Sequence, residues 1–130
     1  MSQENVGTLR GLYAAWAQGN FRPGKDLFAP DVVFDQLADG SFNVVGADAV
    51  EGYTREFLAQ WGEFRIVAED LVEVGDRILV TERQHATGKA SGVKTELSVY
   101  SVWTFRDGLV VRVQWERDRT AALEAAGLSE

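Results

Sequence analysis

The 130-residue chain contains no cysteine and a single histidine, His85. The lack of cysteine excludes disulfides, thiolate nucleophiles and thiolate-ligated metals. A lone histidine without a cluster of acidic residues beside it argues against a transition-metal site. The sequence therefore predicts a protein that uses no metal and no other cofactor.

Basic residues and long apolar runs are also scarce. Lys and Arg total 13 against 20 Asp and Glu, which gives a formal net charge of −7. This charge argues against a nucleic-acid partner, because phosphate contacts need cationic side chains. No apolar run approaches the roughly 18 residues of a membrane-spanning helix, so we expect no membrane partner. The first residues lack a basic segment followed by an apolar one, which predicts no signal peptide and a cytoplasmic location.

The remaining composition is typical of one globular domain over residues 1–130. Hydrophobic residues make up 45% of the chain and charged residues 25%, as in ordinary soluble proteins. A chain of this length can bury about two-thirds of the surface that its unfolded form exposes. No repeat or linker composition indicates a second domain.

Two amphipathic helices are predicted in the first half of the chain. The first has apolar residues at the spacing of one helical face: Leu9, Leu12, Tyr13 and Trp16. The second has a similar face: Val50, Tyr53, Phe57 and Trp61. Gly19-Asn20 and Gly62 are the predicted ends of these helices. Between them, residues 31–37 read as a strand followed by a loop through Asp39-Gly40.

From Phe64 onward the apolar period changes from 3.6 residues to 2, which is typical of strands. Four strands are predicted, over residues 64–74, 78–87, 93–106 and 109–117. Asp107-Gly108 predicts a tight hairpin turn between the last two. A short helix over residues 120–126, ended by Gly127, closes the chain. Helices followed by antiparallel strands favour an α+β fold, in which a strongly curved sheet wraps around the helices as a cone open at one end.

Arg83 and His85 stand two residues apart in a predicted strand, so they share a face with Leu79. We interpret that face as the lining of a cavity, where Arg83 would anchor an anionic oxygen and neutral His85 would move a proton. Two alternatives remain: a strand end that emerges into solvent, and a dimer contact in which Arg83 pairs with an acidic residue. A bulge would shift the strand by one residue and turn Glu82 and Gln84 to the cavity instead.

Several segments carry a family resemblance: residues 12–16 (LYAAW), 27–34 (LFAPDVVF), 45–46 (VG), 103–108 (WTFRDG) and 121–128. In these segments the chain resembles the nuclear transport factor 2-like superfamily and, within it, the SnoaL-like proteins. The resemblance implies a deep apolar cavity between the sheet and the helices, and a homodimer. It implies no particular reaction, because the fold hosts isomerases, epoxide hydrolases, dehydratases, cyclases and non-catalytic binders.

Three catalytic patterns of this superfamily are incomplete in the chain. The ketosteroid isomerase-like pattern implies three positions that cannot remove and relay a proton: Leu12, Gln36 and Ser101. The limonene epoxide hydrolase-like pattern keeps Arg83 but has His85 and Trp115 where it needs carboxylates. The SnoaL-like cyclase pattern also implies an acidic residue at the position of Trp115.

The strand alternation and the resemblance together predict the residues that line the cavity. His85 and Arg83 are the catalytic candidates. The predicted ligand-binding residues are Trp16, Gln36, Tyr53, Phe57, Ser101, Trp103, Val113 and Trp115. The aromatic residues of this set also fit an ordinary core, which is their alternative interpretation. Asp35 is expected at the surface or beside an arginine, and residues 116–119 are expected to form a solvated charge network.

Two functions are compatible with these residues. The first is an isomerase, lyase or cyclase acting on a hydrophobic, carbonyl-containing ring compound, with His85 as acid and base, Arg83 as oxyanion stabiliser and Gln36 orienting substrate or water. The second is a non-catalytic binding or carrier domain for a small hydrophobic molecule, which the absence of carboxylates at the family positions favours. A purely structural dimerisation module would instead lack a cavity of ordinary ligand-binding size, roughly 300 Å³ or more.

Overall fold

The two periodicities of the sequence correspond to helices and strands in a computed structural model, which describes residues 2–21, 25–36 and 42–127. A short 3-10 turn at Lys25–Leu27 precedes the first strand. The elements of the described residues follow in this order: α1 Ser2–Trp16, β1 Phe28–Gln36, β2 Phe42–Val45, α2 Ala47–Ala59, β3 Trp61–Val74, β4 Arg77–Gly88, β5 Lys94–Arg106, β6 Leu109–Glu116 and α3 Arg119–Ala126.

The strands form one mixed sheet in the order β2-β1-β6-β5-β4-β3. Strands β3 to β6 are consecutive and antiparallel, and β1 runs parallel to β6. The hairpin predicted at Asp107-Gly108 joins β5 to β6, with φ angles of 54° and 80° that suit a tight turn. Strands β2 and β3 are the two edges, so the curled sheet is not closed. The α+β prediction is confirmed.

The two terminal helices cover opposite faces of the sheet. All four residues of the predicted α1 face are buried in the main core, which lies on the inner face of the sheet: Leu9, Leu12, Tyr13 and Trp16. Helix α3 packs on the outer face, where Ala122, Leu123 and Ala126 form a second cluster with Leu79 and Val102. Part of the sheet is therefore buried on both faces.

Three boundaries differ from the sequence prediction. Trp61 begins β3 and does not belong to α2, which ends at Ala59. Strand β2 was not predicted, because its four residues show too little alternation to be separated from a loop. Strand β1 begins at Phe28 and contains Pro30, and its pairing with β6 is irregular between Phe28 and Val33. Proline cannot donate a ladder hydrogen bond, which explains this irregularity. The predicted loop at Asp39-Gly40 lies outside the described residues.

The inner and outer faces of β4 are the reverse of the sequence interpretation. Ile78, Val80 and Glu82 point into the main core, with exposures of 1%, 0% and 0%. Arg83 and His85 lie on the outer face, so the prediction that they line the cavity is wrong. The physical reason is that α3 covers the outer face of the sheet at Leu79. An apolar residue at this position therefore suggested the inner face, although it points to the outer one.

Candidate functional site

A cavity of about 350 Å³ lies between α2 and the inner face of the sheet. Aromatic residues are the largest group in its wall: Trp16, Phe21, Phe34, Tyr53, Phe57, Trp61, Phe64 and Trp115. Polar groups are fewer and come from four elements and the residue after β6: Thr54, Gln84, Thr95, Glu116 and Arg117. An apolar wall with a small number of polar groups is the usual composition of a small-molecule site.

Ring contacts join neighbouring residues of the aromatic wall. Phe57 of α2 meets Phe64 of β3 edge to face, with ring centroids 5.1 Å apart and planes at 89°. The ring centroids of Trp115 in β6 and Phe34 in β1 are 4.8 Å apart, and the ring planes are at 63°. Such edge-to-face pairs stabilise a packed wall beyond the burial of area alone.

Two donors in this wall lack an acceptor. The indole nitrogens of Trp16 and Trp61 are buried and have no hydrogen-bond partner among the described residues. A buried donor without a partner costs roughly 1–3 kcal/mol. The wall is therefore not fully satisfied by its own polar groups.

A buried polar cluster lies on the same inner face and consists of Tyr13, Glu82, Ser101 and Trp103. The Tyr13 hydroxyl donates to Glu82 Oε2, and Ser101 Oγ donates to the same oxygen at 2.7 Å. The indole N–H of Trp103 donates to the oxygens of both Tyr13 and Ser101, each at 3.0 Å. Every hydroxyl of the cluster thus has both a donor and an acceptor role.

Burial raises the pKa of the Glu82 carboxyl above its ordinary value, because the charged form loses its hydration. Hydrogen bonds oppose this rise, in decreasing order of effect: those from Tyr13, Ser101, Gln84 and Trp115. Burial also raises the pKa of Tyr13 well above its ordinary range, and the charge of Glu82 raises it further. Tyr13 therefore remains a hydrogen-bond donor over the whole physiological pH range.

Gln84 and Trp115 connect this cluster to the cavity. Both side chains line the cavity wall and both form hydrogen bonds with Glu82. Gln84 Nε2 donates to Glu82 Oε1 at 3.2 Å. The carboxyl of Glu82 is consequently one side chain away from any molecule that occupies the cavity.

The predicted ligand-binding residues fall into four places. Trp16, Tyr53, Phe57 and Trp115 are in the cavity wall. Ser101 and Trp103 belong to the buried polar cluster. Val113 is fully buried in the core beside Trp103. Gln36 is the last residue of β1, and its side chain lies outside the described part of the structure.

Arg83 forms ion pairs on the outer face, and His85 lies beside them. Arg83 Nε lies 3.0 Å from Glu69 Oε2, and its Nη1 contacts Glu96. His85 Nδ1 lies 3.6 Å from Glu96 Oε2. Hydrogen bonds to Glu96 and then Glu69 raise the pKa of Arg83, and the bond from Arg83 lowers the pKa of Glu96. These acidic partners belong to the same chain, whereas the alternative left open for Arg83 was pairing with an acidic residue in a dimer contact. Asp35 also has the arginine partner that was expected, Arg112.

Four polar residues of this region were missed or misplaced. The resemblance pointed to Leu12 on α1. The residue of α1 that contacts Ser101 is the next one, Tyr13. Glu82 and Gln84 were expected on the inner face only if the strand were shifted. Glu116 was expected to be solvated, but it is 7% exposed and lines the cavity. The pairing of β3 with β4 identifies the inner face of β4, because the buried Phe64 and Ile66 of β3 pair with residues 86 and 84 of β4.

The sequence profile of the SnoaL-like domain matches residues 9–113. The chain belongs to the SnoaL-like domain family. No curated protein matches this SnoaL-like chain. Among the residues that the structure describes, no group of three or more His, Cys, Asp or Glu side chains could hold a metal ion. No helix of the described ranges is long and apolar enough to span a membrane.

Solved structures similar to this SnoaL-like protein share its fold. An NTF2-like protein of unknown function from Burkholderia pseudomallei is 24% identical, with a TM-score of 0.77 over 93% of this chain and 95% of that chain. TerC, co-crystallised with polyporic acid, is 19% identical, with a TM-score of 0.75 over 95% and 98%. An LEH-like epoxide hydrolase from M. tuberculosis is 14% identical, with a TM-score of 0.73 over 96% and 90%.

Proposed function

We propose that this SnoaL-like protein binds a small, mostly apolar ring compound in the cavity between α2 and the sheet. The observation that carries the proposal is the aromatic wall around about 350 Å³, which is within the usual range of ligand sites. A domain that serves only dimerisation would be expected to fill this space with its own side chains. TerC, which has the same fold, was co-crystallised with polyporic acid, and this supports a small-molecule role.

The unpartnered indole N–H groups of Trp16 and Trp61 support a ligand that carries oxygen. A carbonyl or hydroxyl oxygen could accept from such a donor and remove its desolvation cost. Flat rings would also stack favourably on a wall of this composition. The proposed ligand is therefore a ring compound with one or more oxygen functions.

Calorimetric titration with a panel of bicyclic and tricyclic ring compounds tests this function. Ala86→Phe places a larger side chain in the cavity and should abolish binding, because the space for a ligand is filled. His85→Leu changes the neighbouring residue on the outer face and should alter affinity by no more than about twofold. Circular dichroism checks that both variants fold. The proposal is wrong if no compound binds the wild type, or if Ala86→Phe binds as tightly.

The second candidate function is an enzyme that transfers a proton, of the isomerase, lyase or cyclase class. The observation that favours it is the buried carboxyl of Glu82, whose pKa is raised and whose partners Gln84 and Trp115 line the cavity. A carboxyl with a raised pKa is suited to general acid–base chemistry near neutral pH. In this candidate Glu82 takes the role that the sequence suggested for His85, and the ligand displaces Gln84 to reach it.

Turnover separates the enzyme from a non-catalytic carrier. Compounds that bind are incubated with the wild type and recovered for mass spectrometry and NMR. If a product forms, Glu82→Gln should lower the turnover by about 10²-fold or more while binding persists. If every bound compound is recovered unchanged, the carrier function is favoured.

A further inference from the structure

We propose that Gln84 selects ligands whose polar group is a hydrogen-bond donor, and that Glu82 imposes this preference by fixing the orientation of the Gln84 amide. The inference rests on the proposed binding of a ring compound. It adds that the functional group of this compound donates a hydrogen bond. Gln84 is thus a specificity residue, and Glu82 is a positioning residue that acts through it.

The orientation of the amide follows from its hydrogen bond. Gln84 and Glu82 are two residues apart on the inner face of β4, and Gln84 Nε2 donates to Glu82 Oε1 at 3.2 Å. The amide nitrogen can only donate, and the amide oxygen can only accept. Because the nitrogen is turned toward Glu82, we infer that the carbonyl oxygen faces the cavity that Gln84 lines. A hydroxyl or N–H group on the ligand would complement it.

The groups around Glu82 make it an acceptor. Tyr13 from α1 and Ser101 from β5 both donate to Oε2, and Trp115 from β6 adds a further hydrogen bond. Trp103 donates to the oxygens of Tyr13 and Ser101, which directs both hydroxyl protons toward Glu82. These partners are all uncharged. Reversing the Gln84 amide would place its carbonyl oxygen against a carboxylate oxygen, which is unfavourable.

Three ligands with the same ring system test the preference: 2-naphthalenemethanol, its methyl ether, which is one methyl group larger, and 2-ethylnaphthalene. The alcohol and the ether share an acceptor oxygen, so the indole N–H groups of Trp16 and Trp61 cannot distinguish them. The wild type at pH 8 should bind the alcohol about tenfold more tightly than the ether, the value of one good hydrogen bond. Affinities are measured by calorimetric titration.

Substitutions test whether Gln84 and Glu82 cause the preference for the alcohol. Gln84→Leu should bind the alcohol and the ether with affinities within about twofold of each other, because the carbonyl acceptor is gone and the ring contacts remain. Glu82→Gln should reduce the ratio of the affinities for alcohol and ether. An amide at this position can donate to the carbonyl of Gln84 as well as accept from its nitrogen, so it no longer fixes the orientation of Gln84. His85→Leu, on the outer face, should retain the wild-type ratio.

Acidic pH provides a readout that a purely structural role of Glu82 would not change. A proton on Glu82 Oε1 would make this oxygen a donor and permit the Gln84 amide to reverse. The ratio of the affinities for alcohol and ether should therefore fall as the pH is lowered through the raised pKa of Glu82, and this change should be absent in Glu82→Gln.

The outcomes distinguish the two proposals. If the alcohol and the ether bind the wild type equally, the inference is overturned and the proposed ring-compound site stands. If Gln84→Leu keeps the tenfold ratio, another residue makes the selection and the inference is again overturned. If none of the three compounds binds the wild type, the inference is overturned, and the proposed function fails with it only if the whole panel of ring compounds also fails to bind.

Discussion

Glu82 is a glutamate in an environment that its type rarely occupies. Its side chain is 0% exposed, and its carboxyl is enclosed by hydroxyl, amide and indole groups. Hydrogen bonds make such burial tolerable, yet none of the partners named for this carboxyl is a cation. Polar groups retained in a core at this cost are frequent at functional sites. The same carboxyl contacts two residues of the cavity wall, which links its protonation to whatever the cavity holds.

The raised pKa of Glu82 predicts a pH dependence of stability. The wild type should lose free energy of unfolding as the pH rises from about 4.5, the ordinary pKa of a glutamate, through the raised value. Over that range the unfolded carboxyl ionises while the buried one keeps its proton, so ionisation favours the unfolded chain. Glu82→Gln should lack this component. Urea unfolding of both proteins between pH 4 and 8 provides the measurement, and a difference in stability that does not change with pH would contradict it.

The outer-face ion pairs contribute differently from the buried carboxyl. Arg83 bridges Glu69 and Glu96 where all three side chains remain solvent-accessible, so salt and water weaken their attraction. We expect Arg83→Leu to change stability little and to leave ring-compound binding intact. Thermal unfolding with and without a bound compound checks both expectations. If Arg83→Leu lost the ligand-dependent shift in melting temperature, the binding site would have to be on the outer face.

At the scale of elements, β4 has two buried faces over its first residues. Ile78 and Val80 face the main core, and Leu79 faces the cluster under α3. The N-terminus of helix α3 is capped by the side chain of Asp118, which accepts from Ala121 N at 3.2 Å. It ends at Gly127, whose φ of 87° suits a glycine cap. The helix thereby turns a sheet surface that would meet solvent into a second core.

This second core predicts the effect of truncating Leu79. Leu79→Ala should lower the free energy of unfolding by about 2–4 kcal/mol, because it removes buried methyl groups and leaves a space under α3. Thr81→Ala, on the same face of β4 but only half-buried, is the matched control and should cost much less. Chemical denaturation of the two variants measures both values. Equal effects would mean that α3 does not bury this part of the sheet.

At the scale of the molecule, the cavity is closed by an element that is weakly anchored. Among the described residues of α2, Val50 is the one that is fully buried, whereas the shorter α3 buries Ala122, Leu123 and Ala126. Elements with few buried contacts open at lower free energy than the core does. The helix that covers the cavity should thus move aside for a ligand more easily than the core opens.

Hydrogen exchange tests this arrangement. In the free protein the amides of α2 should exchange faster than those of β5, the strand that pairs with β4 and β6 in the middle of the sheet. A saturating ring compound should slow exchange in α2, because Tyr53 and Phe57 are in the cavity wall. The amides of α3 lie on the opposite face and serve as the internal control. Protection of α3 instead of α2 would place the ligand elsewhere.

The sequence by itself determined most of the elements. The apolar face of α1, the change of period at Phe64, the hairpin at Asp107-Gly108 and the glycine stop of α3 are local signals, and each corresponds to the observed structure. They are readable because each depends on residues within a few positions of one another. Residues spread along the chain also carried the resemblance to the family to which it belongs.

The tertiary structure alone decided which face of β4 meets the cavity and therefore which residues form the site. Three consecutive apolar residues, Ile78, Leu79 and Val80, are buried from two sides, so alternation within the strand could not distinguish inside from outside. That distinction comes from α1 and α3, which are far from β4 in sequence. Tyr13 meets Glu82 across 69 positions of the chain. A contact of that range leaves no trace in local periodicity, because it is fixed by how the sheet curls around the first helix.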